Sequence, residues 1–189
     1  KPHSFSTACN IATQAIAQIA SSQYGGQSIS LAHLAPFVQI SREKFVKQVA
    51  EEFKATGIAA SEEKVREVAE LRVRDEIKRG VQMIQYQVIT LMTTNGQAPF
   101  VTVFMYIDEV PEGQTREDLV AIIEEMLHQR IRGVKNEKGV SGMYRLVLRE
   151  ADFLDITRSA DIERSYILVY YGIIGDFVMN VFPEVIDRP

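Results

Sequence analysis

Gln85-Tyr86-Gln87-Val88-Ile89-Thr90-Leu91-Met92-Thr93-Thr94-Asn95-Gly96-Gln97-Ala98-Pro99-Phe100-Val101-Thr102-Val103-Phe104-Met105 changes period in its middle. Its first part continues an apolar stripe at helical spacing, formed by Val73, Ile77, Val81, Ile84, Val88 and Leu91. From Ala98 to Ile107 the period becomes two, with Val101, Val103, Met105 and Ile107 on one face and Phe100, Thr102, Phe104 and Tyr106 on the other. Apolar groups on both faces predict a strand covered on both sides. A polar, glycine-containing run, Thr93–Phe100, joins helix to strand.

The same order of elements occurs earlier in the chain. A helical pattern from Thr7 to Gln23 runs into Ser21-Ser22-Gln23-Tyr24-Gly25-Gly26-Gln27-Ser28, and Gln27 to Leu31 then alternates like a short strand. On this first helix the expected stripe is Ile11, Ala12, Ala15, Ile16 and Ile19, with Gly25 or Gly26 as its left-handed cap. Two such junctions predict an α/β fold in which glycine lets the backbone approach a ligand and loop amides are free to donate. Each junction also reads as a plain structural turn.

Between the junctions Ser41 is a candidate N-cap for a helix carrying Phe45, Val46, Val49, Ala50 and Phe53, with Gly57 beyond its end. Ser61, followed by Glu62 and Glu63, opens the long helix, which Gly80 interrupts at modest cost. Thr115 with Asp118 reads as a capping box for a last helix running to about Ile131, ended by Gly133. After that the texture changes. Met143–Leu148, Tyr166–Tyr171 and Phe177–Phe182 are short β-rich runs divided by Gly172, Gly175 and acidic turns.

The chain has 189 residues, a net charge of −4 and 24% charged residues. That suits one domain, or one plus a small appendage. The mildly acidic balance argues against a nucleic-acid binder, and no apolar run is long enough to cross a bilayer. The one cysteine, Cys9, excludes an intrachain disulfide framework and a four-cysteine zinc site, and it reads as a small buried hydrophobe. The expected compartment is the cytoplasm. His3, His33 and His128 share no metal-ligand spacing; His33 reads as a core or turn residue and His128 as a surface one. No catalytic triad, P-loop or dinucleotide fingerprint is legible, and Glu62-Glu63 and Glu124-Glu125 read as helix surface. Hence no catalytic and no metal-ligating residue is assigned.

Ile11–Ser28, Leu31-Ala32-His33-Leu34-Ala35-Pro36-Phe37, Gln85–Met105 and Arg132–Val140 together resemble the anaerobic (class III) ribonucleoside-triphosphate reductases. The resemblance runs from about Lys1 to Val140; Ser141 to Pro189 carries none of it. It implies a two-part organisation: a partial reductase barrel over residues 1–140 and a β-rich tail of unknown relationship over 141–189. The fold implied is α/β, part of a glycyl-radical-type barrel with helices flanking a mostly parallel sheet. The chemistry implied is reduction of ribonucleoside triphosphates through a glycyl radical and a thiyl radical on a loop cysteine. Formate is the implied reductant, zinc sits on four C-terminal cysteines, and an S-adenosylmethionine-dependent activase installs the radical. The glycyl-radical loop, the thiyl cysteine, the zinc cysteines and the N-terminal nucleotide-binding cone have no counterpart in this sequence, so a fragment inactive in isolation is expected.

By the same likeness Gln23, Tyr24, Gly25, Gly26, Gln27 and Ser28 lie beside a ribonucleoside triphosphate. The loop of Asn95, Gly96 and Gln97 links a dNTP effector to the substrate, and the region holds a homodimer contact. Two rival readings remain open: a non-catalytic nucleotide-binding or dimerisation module, and a recombined chain with an unrelated tail.

Overall fold

The first helix, α1 (Phe5–Ser22), begins where Ser4 caps it. A helix start leaves backbone N–H groups without intrahelical partners, and here three of them find side-chain acceptors. Phe5 N donates to Ser41 Oγ at 2.8 Å, Ser6 N to Glu76 Oε1 at 3.3 Å and Thr7 N to Ser4 Oγ at 3.2 Å. The N-terminus of α1 is thereby fixed to the two helices that follow. The computed structural model describes residues 1–23, 26–90 and 101–130, together with the backbone of 131–132, 134–135, 141–142 and 168–171.

Several expectations are corrected here. The buried face of α1 is Phe5, Ala8, Cys9, Thr13, Ile16 and Ala20, whereas Ile11 and Ile19 are exposed. Apolar residues lie on two sides of this helix, and the side carrying Phe5 and Cys9 wins the core. α1 ends at Gln23, which is extended and returns its N–H to Ile19 O at 2.9 Å, so Gln23 takes the capping role expected of a glycine. The second helix, α2 (Pro36–Ala55), starts before Ser41, because Pro36 supplies a preset φ and has no N–H to satisfy at the first position. Ser41 is buried within the helix and caps α1 instead.

The third helix, α3 (Glu62–Thr90), follows the sequence reading closely. Ser61 Oγ accepts from Lys64 N at 3.2 Å, and Val73, Ile77, Val81, Ile84 and Val88 are buried. The left-handed turn before it falls on Gly57, at φ 69°. The fourth helix, α4 (Gln114–Arg132), is led in by Gly113, at φ 128°, whose carbonyl accepts from Arg116 and Glu117. Asp118, expected as half of a capping box, is instead buried and bound to Arg42 of α2.

The strands are shorter than the sequence pattern. β1 (Gln27–Ser30) runs parallel to β2 (Val101–Phe104), in the register Gln27 to Val101 through Ser30 to Phe104. Two short strands, β3 (Val134–Lys135) and β4 (Ser141–Gly142), pair with each other. β5 (Leu168–Tyr171), from the middle β-rich run of the tail, pairs antiparallel with the other edge of β2. The sheet order is therefore β1-β2-β5. Ala98–Phe100, Met143–Leu148 and Phe177–Phe182 lie outside the described residues. Val101, Val103, Met105 and Ile107 are buried, with Ile107 in a 3₁₀ turn past the strand, while Thr102, Phe104 and Tyr106 are only half-buried. The second face of β2 is thus less covered than its composition suggested.

The architecture is mostly helical: α3 packs against α1, α2 and α4, and the small sheet joins the same core through β2. One apolar core joins them, running from Phe5 and Val38 through Val81 and Ile84 to Val103, Leu119 and Met126.

Candidate functional site

Both signature runs connect the end of a helix to the start of a strand. Because β1 and β2 are parallel and in register, the two runs enter the sheet at the same end. The pairing of Gln27 with Val101 sets the first strand residue of β1, within the first run, beside the first residue after the second run. Linear sequence gives no hint of this closeness. Among the candidate residues, Gln23, Gly26 and Ser28 are exposed and Gln27 is half-buried. Tyr24, Gly25, Asn95, Gly96 and Gln97 lie outside the described residues.

This end is the amino end of the parallel pair. Open parallel sheets usually place ligands at the carboxyl ends of their strands. Here the carboxyl end is closed by its own bonds. Ser30 Oγ donates to Glu109 Oε2 and accepts from Ala32 N at 3.2 Å, and Arg116 holds Asp108 at 2.7 Å. The neighbouring Asp108 carboxylate pushes the Tyr106 phenol above its usual range. The amino end differs in kind: its described candidates are amides, a hydroxyl and a glycine, none of them titratable. Such groups bind by hydrogen bonds and transfer no protons.

Cys9 does not fit a radical or metal role. It is fully buried between α1 and α3, and its sulfur would lie 3.1 Å from a Cβ at Gly80. Burial, reinforced by the Glu76 carboxylate, raises its thiol far above the ordinary range. Zinc held by four thiolates cannot be built from one cysteine, and no metal-binding cluster of acids, His or Cys occurs among the described residues. His33 and His128 are both exposed, and His33 ends a short 3₁₀ turn, so it is no core histidine.

The sequence reading missed Arg42. Its guanidinium donates twice to Asp118 (Nη1 to Oδ2 at 3.0 Å) and also reaches Glu70 on α3 and Gln39, and these carboxylates raise its pKa further. The available signal was an arginine in step with Val38, Phe45 and Val49 on the inward stripe of α2. The cluster joins α2, α3 and α4 rather than facing a ligand.

A family model described as anaerobic ribonucleoside-triphosphate reductase matches residues 1–146. The anaerobic ribonucleoside-triphosphate reductase of Haemophilus influenzae is 36% identical over 140 residues, which cover 72% of this chain and 18% of that protein. The Escherichia coli protein of the same name is 35% identical over 159 residues, 82% of this chain and 20% of that protein. The Salmonella typhimurium protein is 41% identical over 106 residues, 53% of this chain and 13% of that protein. The chain therefore spans a fifth or less of the length of these relatives. With a family match across residues 1–146 and relatives above 30% identity, the chain belongs to the anaerobic ribonucleoside-triphosphate reductase family.

Proposed function

We propose that this chain forms an early segment of the catalytic barrel of an anaerobic ribonucleoside-triphosphate reductase, and that its two signature runs make one nucleotide-binding edge. Support comes above all from the in-register pairing of Gln27 with Val101, which brings both runs to one end of the sheet. Gln23–Ser28 lies beside the ribonucleoside triphosphate, and Asn95–Gln97 relays a dNTP effector. Residues 1–140 are the barrel segment and 141–189 a separate tail that lends β5 to the sheet.

Reduction itself, in the whole enzyme, draws on a glycyl radical, a thiyl cysteine, formate and the activase in the cytoplasm. This chain contributes binding and orientation. Calorimetry with a nucleoside triphosphate tests that role. Weak binding is expected, and Gly25→Val should weaken it by placing a branched side chain where the ligand approaches; unchanged affinity would remove the first signature from the site. No deoxynucleotide is expected from the isolated chain supplied with activase, S-adenosylmethionine and formate. Product that depends on this chain would overturn that.

The chain is also proposed to self-associate through helices. No Asp, Glu, Lys or Arg occurs from Ser4 to Ser41 or from Gly80 to Ile107. The helices in these two stretches, α1 and α3 from Gly80 onward, pack together and leave Ile11, Ile19 and Tyr86 exposed. An uncharged surface bearing apolar residues favours burial against a second copy.

A further inference from the structure

The amide oxygen Oε1 of Gln27 is shut off from solvent and has no hydrogen-bond partner. A buried polar atom left unsatisfied needs a reason, since native folds pair nearly all of them. Glu76 Oε2 and Gln85 Oε1 share this state, but both belong to α3, within the helical layer. Gln27 alone stands at the amino end of the parallel pair, paired through its Cα with Val101, the first strand residue after the second run. An amide oxygen only accepts, so its missing partner is a donor.

We propose that Gln27 Oε1 is a specificity-determining acceptor that reads one O–H or N–H donor of the bound nucleotide. This rests on the nucleotide-binding reading above. A ribose hydroxyl and a base amino group offer the same chemistry, and analogues separate them. In the ligand-free chain the acceptor is unpaired; binding pairs it, and an analogue lacking the donor leaves it buried and unsatisfied.

The test is calorimetry on the full 189-residue chain with ATP, 2′-deoxy-ATP, 3′-deoxy-ATP and purine ribonucleoside triphosphate, which lacks the amino group. One of the three analogues is expected to bind about tenfold more weakly than ATP. Gln27→Met should bring ATP down to the level of that analogue and leave the analogue unchanged. Without nucleotide its Tm should stay level or rise, because an unpaired acceptor has been removed. Gln27→Glu, which keeps the acceptor, should keep the ratio between ATP and the analogue; added charge acts on both ligands and cancels. Discrimination that survives Gln27→Met, or is lost in Gln27→Glu, overturns the assignment. So does a marked fall in the Tm of ligand-free Gln27→Met, which would mean that the oxygen has a structural partner. If the unmodified chain binds no nucleotide, the site reading fails and this inference with it; binding with unaltered ratios fails this inference alone.

Discussion

Arg42 reaches carboxylates on α3 and α4 from a largely buried position on α2, with its side chain 13% exposed and that of Asp118 5%. Taking one member from a buried ion pair leaves the other charged and without compensation. Arg42→Met should therefore cost about 3 kcal/mol or more. Arg42→Met with Asp118→Leu should recover much of that, because an apolar pair of similar volume carries no desolvation penalty. Urea denaturation of the two variants compares them, and equal losses would mean that the pair does not act as a unit. Cys9 gives a prediction in pH. Its folded pKa is raised, so the folded thiol keeps its proton while the unfolded thiol releases it above about pH 8.5. The unfolded state then binds fewer protons and stability falls as pH rises, by up to about 1.4 kcal/mol per pH unit from this group. Below about pH 8.5 the contribution is fully present. Cys9→Ala should show a shallower loss of stability through the alkaline range, and identical slopes would contradict the burial of the thiol.

At the scale of elements, the crossing of α1 and α3 depends on Gly80. A Cβ there would stand 2.6 Å from Cε1 and 2.8 Å from Cδ1 of Phe5, inside a buried ring. Two effects oppose each other in Gly80→Ala. Helix propensity favours alanine by about 1 kcal/mol, whereas overpacking a tight core costs about 1–3 kcal/mol. The steric term wins because the obstacle is a wedged ring rather than the end of a flexible chain. Gly80→Ala should lower Tm by several degrees, and adding Phe5→Leu should reverse part of the loss. A rise in Tm in the single variant would show that propensity dominates. The cap of α1 has a similar test. Ser41→Ala strands the Phe5 N–H in the core and should cost about 1–2 kcal/mol, measured by thermal unfolding.

For the whole molecule, the uneven distribution of charge is the feature to test. α2 and α3 up to Arg79 carry exposed ion pairs, such as Arg72 with Glu52 and Arg79 with Asp75, while α1 and α3 from Gly80 onward carry no charge. Sedimentation at micromolar concentration should give a dimer or larger species. Ile11→Glu combined with Ile19→Glu should shift it to monomer with little change in Tm, since both side chains are exposed in the single chain. A monomer in the unmodified chain would sink the association. Pairing of β5 with β2 already provides cover for that edge, so the helical face carries the proposal.

The sequence by itself determined the elements whose local pattern is strong. The stripe of α3, its Ser61 cap and acidic first turn, the burial of Cys9 and the two helix-to-strand junctions were all legible, because each depends on neighbours a few residues apart. The same was true of the family, whose motifs are contiguous. Only the tertiary structure decided which of two apolar sides of α1 enters the core, and that Ser41 and Asp118 serve other helices rather than their own. It also decided that the two signature runs share one end of a parallel pair. Those outcomes rest on contacts between residues far apart in the chain, such as Phe5 with Ser41, Arg42 with Asp118 and Gln27 with Val101. A local period sets which faces a helix or strand can bury; the partners available in the fold select among them.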